Sequence, residues 1–237
     1  MTSHNIHLFQ KLKKMGRFDF TKDLQKGERF SFTKDSGLNK VQVDLSWLPG
    51  ADLDACAFLL GEDGIIDDDA NFVYFKSESR WCSTNDEDPT EGDFEPYDGA
   101  KYKNKKLWRR ATVPASKDGS VIGAPDDLGD GPEDEEEAGE TMYVVLDRVH
   151  EDVKEIVFCV AIATSNVTFA DVRNPAILIT DSETGDVLCR YNLKEKFSTE
   201  TAVEAGKLVI DEEGDWSFEA IGEGHDGGIA TLADIYA

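Results

Sequence analysis

From residue 28 onward the hydrophobic positions fall in short runs, some alternating with polar residues and some continuous, and Gly, Asp or Asn punctuate the gaps. That pattern is the mark of strands joined by turns. Ten runs qualify: RFSFT (29–33), VQVDLSW (41–47), CAFLL (56–60), FVYF (72–75), MYVVL (142–146), IVFCVAI (156–162), AILIT (176–180), VLCRYNL (187–193), KLVI (207–210) and WSFEAIG (216–222). Windows of helical period are scarce between them. The order of elements therefore predicts an all-β fold, a β-sandwich of two mostly antiparallel sheets with a few short helices. GEDG (61–64), SETGD (182–186) and DEEGD (211–215) combine Gly and Asp as hairpin connections do. The closing GIATLADIYA (228–237) suits a terminal helix.

Two segments break the pattern. Residues 76–117 are too long for an ordinary hairpin loop and read as an insertion into a domain spanning 21–237. Trp81, Phe94, Tyr97, Tyr102 and Trp108 predict that the insertion folds onto the body, because disordered linkers carry few aromatics. Its basic stretch KYKNKKLWRR (101–110) suits an acidic partner or the protein's own acidic surface. Residues 1–20 are a basic N-terminal extension with Ile6, Leu8, Phe9, Leu12 and Met15 as intermittent apolar positions. Both an amphipathic helix and an extension docked on the body fit that segment.

Charge narrows the choice of partners. The chain has 49 acidic against 25 basic residues, a net charge of -24, and a field of that sign repels phosphate backbones. Nucleic acid is thereby disfavoured, whereas divalent cations, basic proteins and cation-bridged membranes are favoured. Cys56, Cys82, Cys159 and Cys189 form no CxxC pair, and three of them sit in apolar runs. They read as small buried hydrophobes in a reducing compartment, not as zinc ligands. No apolar run approaches the roughly 18 residues of a membrane span, so the expectation is a cytoplasmic protein, with peripheral membrane association left open.

The acid is concentrated. DDLGDGPEDEEE (126–137) holds eight carboxylates in twelve positions without a lysine or arginine. Unpaired carboxylates repel, so such a stretch is either a solvated loop or a cage for a cation. Gly129 and Gly131 free the chain to fold back, while Asp126, Asp127, Asp130, Asp134, Glu135 and Glu136 supply the hard oxygens that calcium takes. The stretch is not an EF-hand, because Leu128 stands at the third position, where that loop requires a ligand, and the flanks are not helix-forming. Asp52 and Asp54 share one face by their i, i+2 spacing as the chain enters a strand, and Asp67, Asp68 and Asp69 immediately precede another. Three acidic loops meeting at one end of the sandwich would enclose a strongly negative pocket. As ordinary turn formers, the same aspartates would face water.

The chain resembles the TerD family of tellurium-resistance and stress-response proteins. The resemblance rests on LQKGERFSFTK (24–34), ADLDACAFLLGEDG (51–64), DDDANFVYF (67–75), DGSVIGAPDDLGDGPEDEEE (118–137), RNPAILITDSETGDVLCRYNL (173–193), FSTETAV (197–203) and GDWSFEAIGEGHDGGI (214–229), all in the family's order. It implies a β-sandwich whose acidic loops bind calcium, usually two ions, in a cytoplasmic protein linked to resistance against tellurite, other stresses and phage. It also implies that the ligands fall on Asp52 and Asp54, on Asp68 and Asp69, and on the loop beginning Asp126, Asp127, Leu128, Gly129. The chain departs from the family at that loop, which lacks its Thr and has Asp127 for Asn, and at Lys76, which stands where an Asn follows the strand. These departures fall on one of the two ion sites.

The expected function is a non-enzymatic calcium-binding stress protein, holding one or two ions and acting as a sensor or scaffold with other stress-response proteins or a membrane-associated complex. The alternatives are a calcium-dependent membrane adaptor, for which the basic N-terminus speaks, and a metal-dependent hydrolase, for which only the paired carboxylates speak. The chain has no GxSxG elbow, P-loop or HExxH motif.

Overall fold

The structure of the 237-residue chain, a computed structural model, describes residues 21–32, 37–48, 51–83, 94–97, 112–123, 138–193 and 197–237. Two six-stranded sheets face each other. The first contains β1 (Lys22–Leu24), β3 (Lys40–Leu48), β9 (Val121–Ile122), β10 (Ala138–Val145), β12 (Arg173–Asp181) and β13 (Val187–Asn192), in the order β1-β13-β12-β3-β10-β9. The second contains β2 (Arg29–Phe32), β4 (Leu53–Leu60), β5 (Phe72–Val73), β11 (Glu155–Ile162), β14 (Ala202–Ile210) and β15 (Trp216–His225), in the order β2-β15-β14-β11-β4-β5. Pairing within both sheets is antiparallel except between β1 and β13. This is the β-sandwich that the hydrophobic runs predict, and each of the ten runs supplies residues of a strand.

Alternation and continuity along the runs have separate causes. In β3, Val41, Val43, Leu45 and Trp47 point between the sheets, while Gln42, Asp44 and Ser46 take the opposite face. Strands β4 and β11 are buried on both faces. Leu53, Ala55, Ala57 and Leu59 join the core between the sheets, and Cys56, Phe58 and Leu60 pack with Val157, Cys159 and Ala161 beneath helix α1 (Gly228–Tyr236) through its Leu232 and Tyr236. Each large side chain fully buried in this way stabilises the fold by about 1.5–3 kcal/mol. A row of rings, Tyr236, Phe58, Phe72 and Tyr74, continues that outer layer with centroids 4.8, 4.3 and 4.3 Å apart.

The segment read as an insertion contributes a small sheet, in which β6 (Arg80–Ser83) lies between β7 (Phe94–Pro96) and β8 (Val113–Pro114). Trp81 and Phe94 pack on Val113, Ala115 and Ile122. The turn at Lys117–Ser120 depends on glycine twice over. Gly119 has φ +68°, and a Cβ there would fall within 2.1 Å of the Trp81 ring. Buried Arg80 donates from Nε to Thr112 Oγ1 at 2.8 Å and from Nη1 to Phe75 O at 3.2 Å, tying the small sheet to the body.

Candidate metal centre

Strand direction decides which acidic segments can meet. Asp52 and Asp54 enter β4 at its N-terminal end, where Trp47 Nε1 donates to Ala51 O at 3.0 Å and β10 begins with Ala138 opposite Trp47. Strand β9 runs antiparallel to β10, with Ile122 opposite Tyr143, so the chain leaves Gly123 heading toward that same end. Both described flanks of residues 124–137 thus lead to the pole that holds Asp52 and Asp54. Asp126, Asp127, Asp130, Asp134, Glu135 and Glu136 themselves lie outside the described residues.

This pole is rich in oxygen. Asp54 lies on the outer face of its sheet, opposite Ala161, and Asp52 is exposed. The backbone of Asp52 is fixed by its N–H donating to Thr164 Oγ1 at 3.0 Å and its C=O accepting from Ala163 N at 2.9 Å. Glu140, absent from the sequence-based ligand set, reaches across from the other sheet. Its position opposite Leu45 turns it inward with Met142 and Val144, and its Oε2 accepts from Ala55 N at 2.6 Å. That N–H faces away from β11, on the edge of β4 that β5 leaves uncovered because β5 pairs only with Ala57 and Phe58. An acid two positions before an inward Met in an alternating strand is a signal that the sequence carries. Arg173, opposite Leu48, is a cation at the same pole.

Asp68 and Asp69 do not join this group. Phe72 pairs with Phe58 and Val73 with Ala57 in an antiparallel ladder, which sets the residues before Phe72 beside the C-terminal end of β4. Six steps along β4 separate Asp54 from Leu60, roughly 20 Å at the rise of an extended strand. The expected meeting of three acidic loops is corrected to a meeting at one pole of Asp52, Asp54 and the flanks of the 124–137 segment. Lys76 follows the Phe72–Phe75 run and is exposed, its Nζ 4.7 Å from the centre of the Phe75 ring.

At the second pole the carboxylates are occupied by their own turns. Asp68 caps the 3-10 turn Asp69–Asn71 by accepting from Ala70 N at 2.9 Å, and its other oxygen pairs with Lys117 Nζ at 2.7 Å. The lysine, then the Ala70 amide, hold the Asp68 carboxyl below its usual range. Asp67 accepts from Asn71 Nδ2 at 2.6 Å. Half-burial pushes the Asp118 carboxyl up, but hydrogen bonds from Ser116 Oγ, Ser120 N and Oγ, and His150 N together outweigh it and leave that group lowered. Asp181 and Asp211 accept from backbone amides within SETGD and DEEGD in the same manner.

Among the described residues, no group of three or more His, Cys, Asp or Glu side chains is placed to hold a metal ion. The donors described at the Asp52 pole are carboxylate, carbonyl and hydroxyl oxygens, which suit a hard dication of six to eight ligands better than zinc. They are too few alone to complete such a shell.

The comparisons with known proteins agree with this architecture. The profile of the TerD domain matches residues 20–93 and 112–236, passing over a stretch inside the 76–117 segment. This chain belongs to the TerD family. It is 31% identical over 189 residues to tellurium resistance protein TerD of Alcaligenes sp, which covers 78% of this chain and 77% of that protein. It is 36% identical over 121 residues to general stress protein 16U of Bacillus subtilis (strain 168), half of this chain and 61% of that protein. A crystal structure of a homologue of telluride resistance protein (TerD) from Streptomyces coelicolor A3(2) shares the fold, with a TM-score of 0.53 at 20% identity over 83% of this chain and 96% of that one. Among the described residues of this TerD-family protein, no helix is long and apolar enough to cross a membrane.

Proposed function

We propose that this TerD-family protein is a non-enzymatic calcium-binding stress protein of the tellurite-resistance type, working as a sensor or scaffold in the cytoplasm. One observation carries the reading: Asp52 and Asp54 stand at the N-terminal end of β4, the pole to which both described flanks of the eight-carboxylate segment lead, and Glu140 reaches the same end of β4 at Ala55 N. Repulsion among those carboxylates is relieved by a dication, and the donor chemistry there is that of calcium. Asp52, Asp54 and carboxylates of the 126–136 segment hold the ion, and Glu140 adds negative charge beside it. A scaffold role follows from coupling: an ion that draws a long acidic segment against the sandwich changes the surface offered to other stress-response proteins. Thermal melts of the full chain test the proposal. Calcium should raise the midpoint in a concentration-dependent way, since a ligand of the folded state alone stabilises by RT ln(1 + [L]/Kd). A midpoint unmoved by millimolar calcium would overturn it.

A further inference from the structure

Apart from the acidic poles, one cluster among the described residues brings reactive groups together: Cys56 and Cys159, buried beneath helix α1. They are directly opposed in the β4–β11 ladder, and both are 0% exposed. As directly opposed residues they point to the same face of the sheet, and both belong to the layer beneath the helix. Directly opposed residues in an antiparallel pair have Cα atoms about 4.5–5.5 Å apart, inside the range that a disulfide spans. Strand β11 keeps an unbroken register with β4 here; the bulge beside the pair, at Ala205, belongs to β14. The other two cysteines lack this arrangement, as Cys189 is buried in the core between the sheets and Cys82 is partly exposed in the small sheet.

Helix α1 lies over the pair. It buries Leu232 and Tyr236 against the layer that contains both cysteines, with the Tyr236 ring 4.8 Å from that of Phe58. Its N-cap is Gly227, without a capping side chain; it is further held by the packing of Ile229, by Gly227 N donating to Thr201 Oγ1 at 3.0 Å, by Thr231 Oγ1 donating to Asp226 O at 2.8 Å and by Ile66 N donating to Tyr236 O at 2.8 Å. With the helix docked, burial first, then Cys56 and Glu204, raise the Cys159 thiol well above its ordinary range, so that thiol is protonated. Helices attached in this way open more readily than the sheets they cover.

We propose that Cys56 and Cys159 are a redox-active dithiol, which a hydroperoxide oxidises to a disulfide across β4 and β11 when helix α1 lifts. One cysteine, as thiolate, attacks a peroxide oxygen; the O–O bond breaks, one oxygen stays as the sulfenic acid and the other leaves as water or alcohol. The second thiol attacks the sulfenic sulfur, the S–O bond breaks, the S–S bond forms, and the oxygen leaves as water. Two thiols lose two electrons and two protons, and the peroxide takes up both.

The test treats the full chain with hydrogen peroxide, blocks remaining thiols after unfolding, and maps peptides without reduction. The expected product links the peptides of Cys56 and Cys159, disappears on treatment with dithiothreitol, and is absent from Cys56→Ser. Tyr236→Ala should form it at least about tenfold faster, because the variant loosens the covering helix. Wild type at raised temperature, below its melting midpoint, should gain more in the rate of this linkage than in the oxidation of the partly exposed Cys82, so the comparison stands even if Tyr236→Ala folds poorly. Cys56 and Cys159 both recovered as free thiols under all these conditions, with only Cys82 oxidised, would overturn the proposal. So would a linked product whose rate does not change when the helix is loosened.

Discussion

The two poles of the sandwich are both crowded with aspartate, yet they use it in opposite ways. At the Asp68–Asp118 pole carboxylates serve their own turns: Asp68 caps a 3-10 turn, Asp118 gathers Ser116, Ser120 and His150, and Asp181 and Asp211 close hairpins. Hydrogen bonds of this kind stabilise the charge locally and leave little for an ion to add. At the Asp52–Asp54 pole Asp52 is fixed through its backbone, to Thr164 Oγ1 and Ala163 N, and Glu140 Oε2 accepts from Ala55 N across the two sheets. An acidic composition therefore does not locate a cation site; what matters is whether the fold has already spent the oxygens on its own amides.

Removing charge from each pole in turn should separate the two uses. The largest effect is expected from Asp52→Asn combined with Asp54→Asn. At calcium one hundred times Kd the wild type should gain about 2.7 kcal/mol over its calcium-free form, and the double variant should lose most of that gain while keeping its calcium-free stability. Denaturant unfolding with and without calcium reads both quantities. Next in size is Asp118→Ala, which leaves the Ser116, Ser120 and His150 donors without their acceptor. It should cost about 2 kcal/mol without calcium and leave the calcium increment intact.

Acid should expose the same residue by another route. Because the folded-state pKa of Asp118 is lowered from 3.8, its contribution is present above that value and is lost as pH falls through the lower, folded pKa. Asp118→Asn should accordingly flatten the fall of stability in that acidic window, as read by unfolding at a series of pH values. Glu140→Ala, which strands the amide of Ala55, should cost about 1 kcal/mol, whereas Glu140→Gln should keep that hydrogen bond and weaken calcium binding alone. The smallest change is expected for Lys117→Ala, whose ion pair with Asp68 is solvent-exposed; salt should erase what difference there is.

The hydrophobic pattern made the long strands legible because burial imposes it. Strands covered on one face alternate, as in VQVDLSW, and those covered on both faces run continuously, as in IVFCVAI. Strands β1 and β6 to β9, two to four residues long, escaped notice because so few positions cannot establish a period. The pairing of Asp68 and Asp69 with Asp52 and Asp54 failed for a topological reason. A connection that leaves β4 and returns as its antiparallel neighbour must lie at the end of β4 opposite to the one where Asp52 enters. Glu140 was hidden by its company, a carboxylate in an inward position before Met142 and Val144, where a polar residue looks like an exception until the opposite sheet's unpaired amide is seen.

Calorimetric titration of calcium into three full-length proteins, the wild type, Asp52→Asn with Asp54→Asn, and Asp68→Asn with Asp69→Asn, sets the poles against each other in one measurement. Binding of one or two ions by the wild type, lost in the first variant and retained in the second, is the predicted result. Binding retained in the first variant and lost in the second, or no binding by the wild type at millimolar calcium, would contradict it.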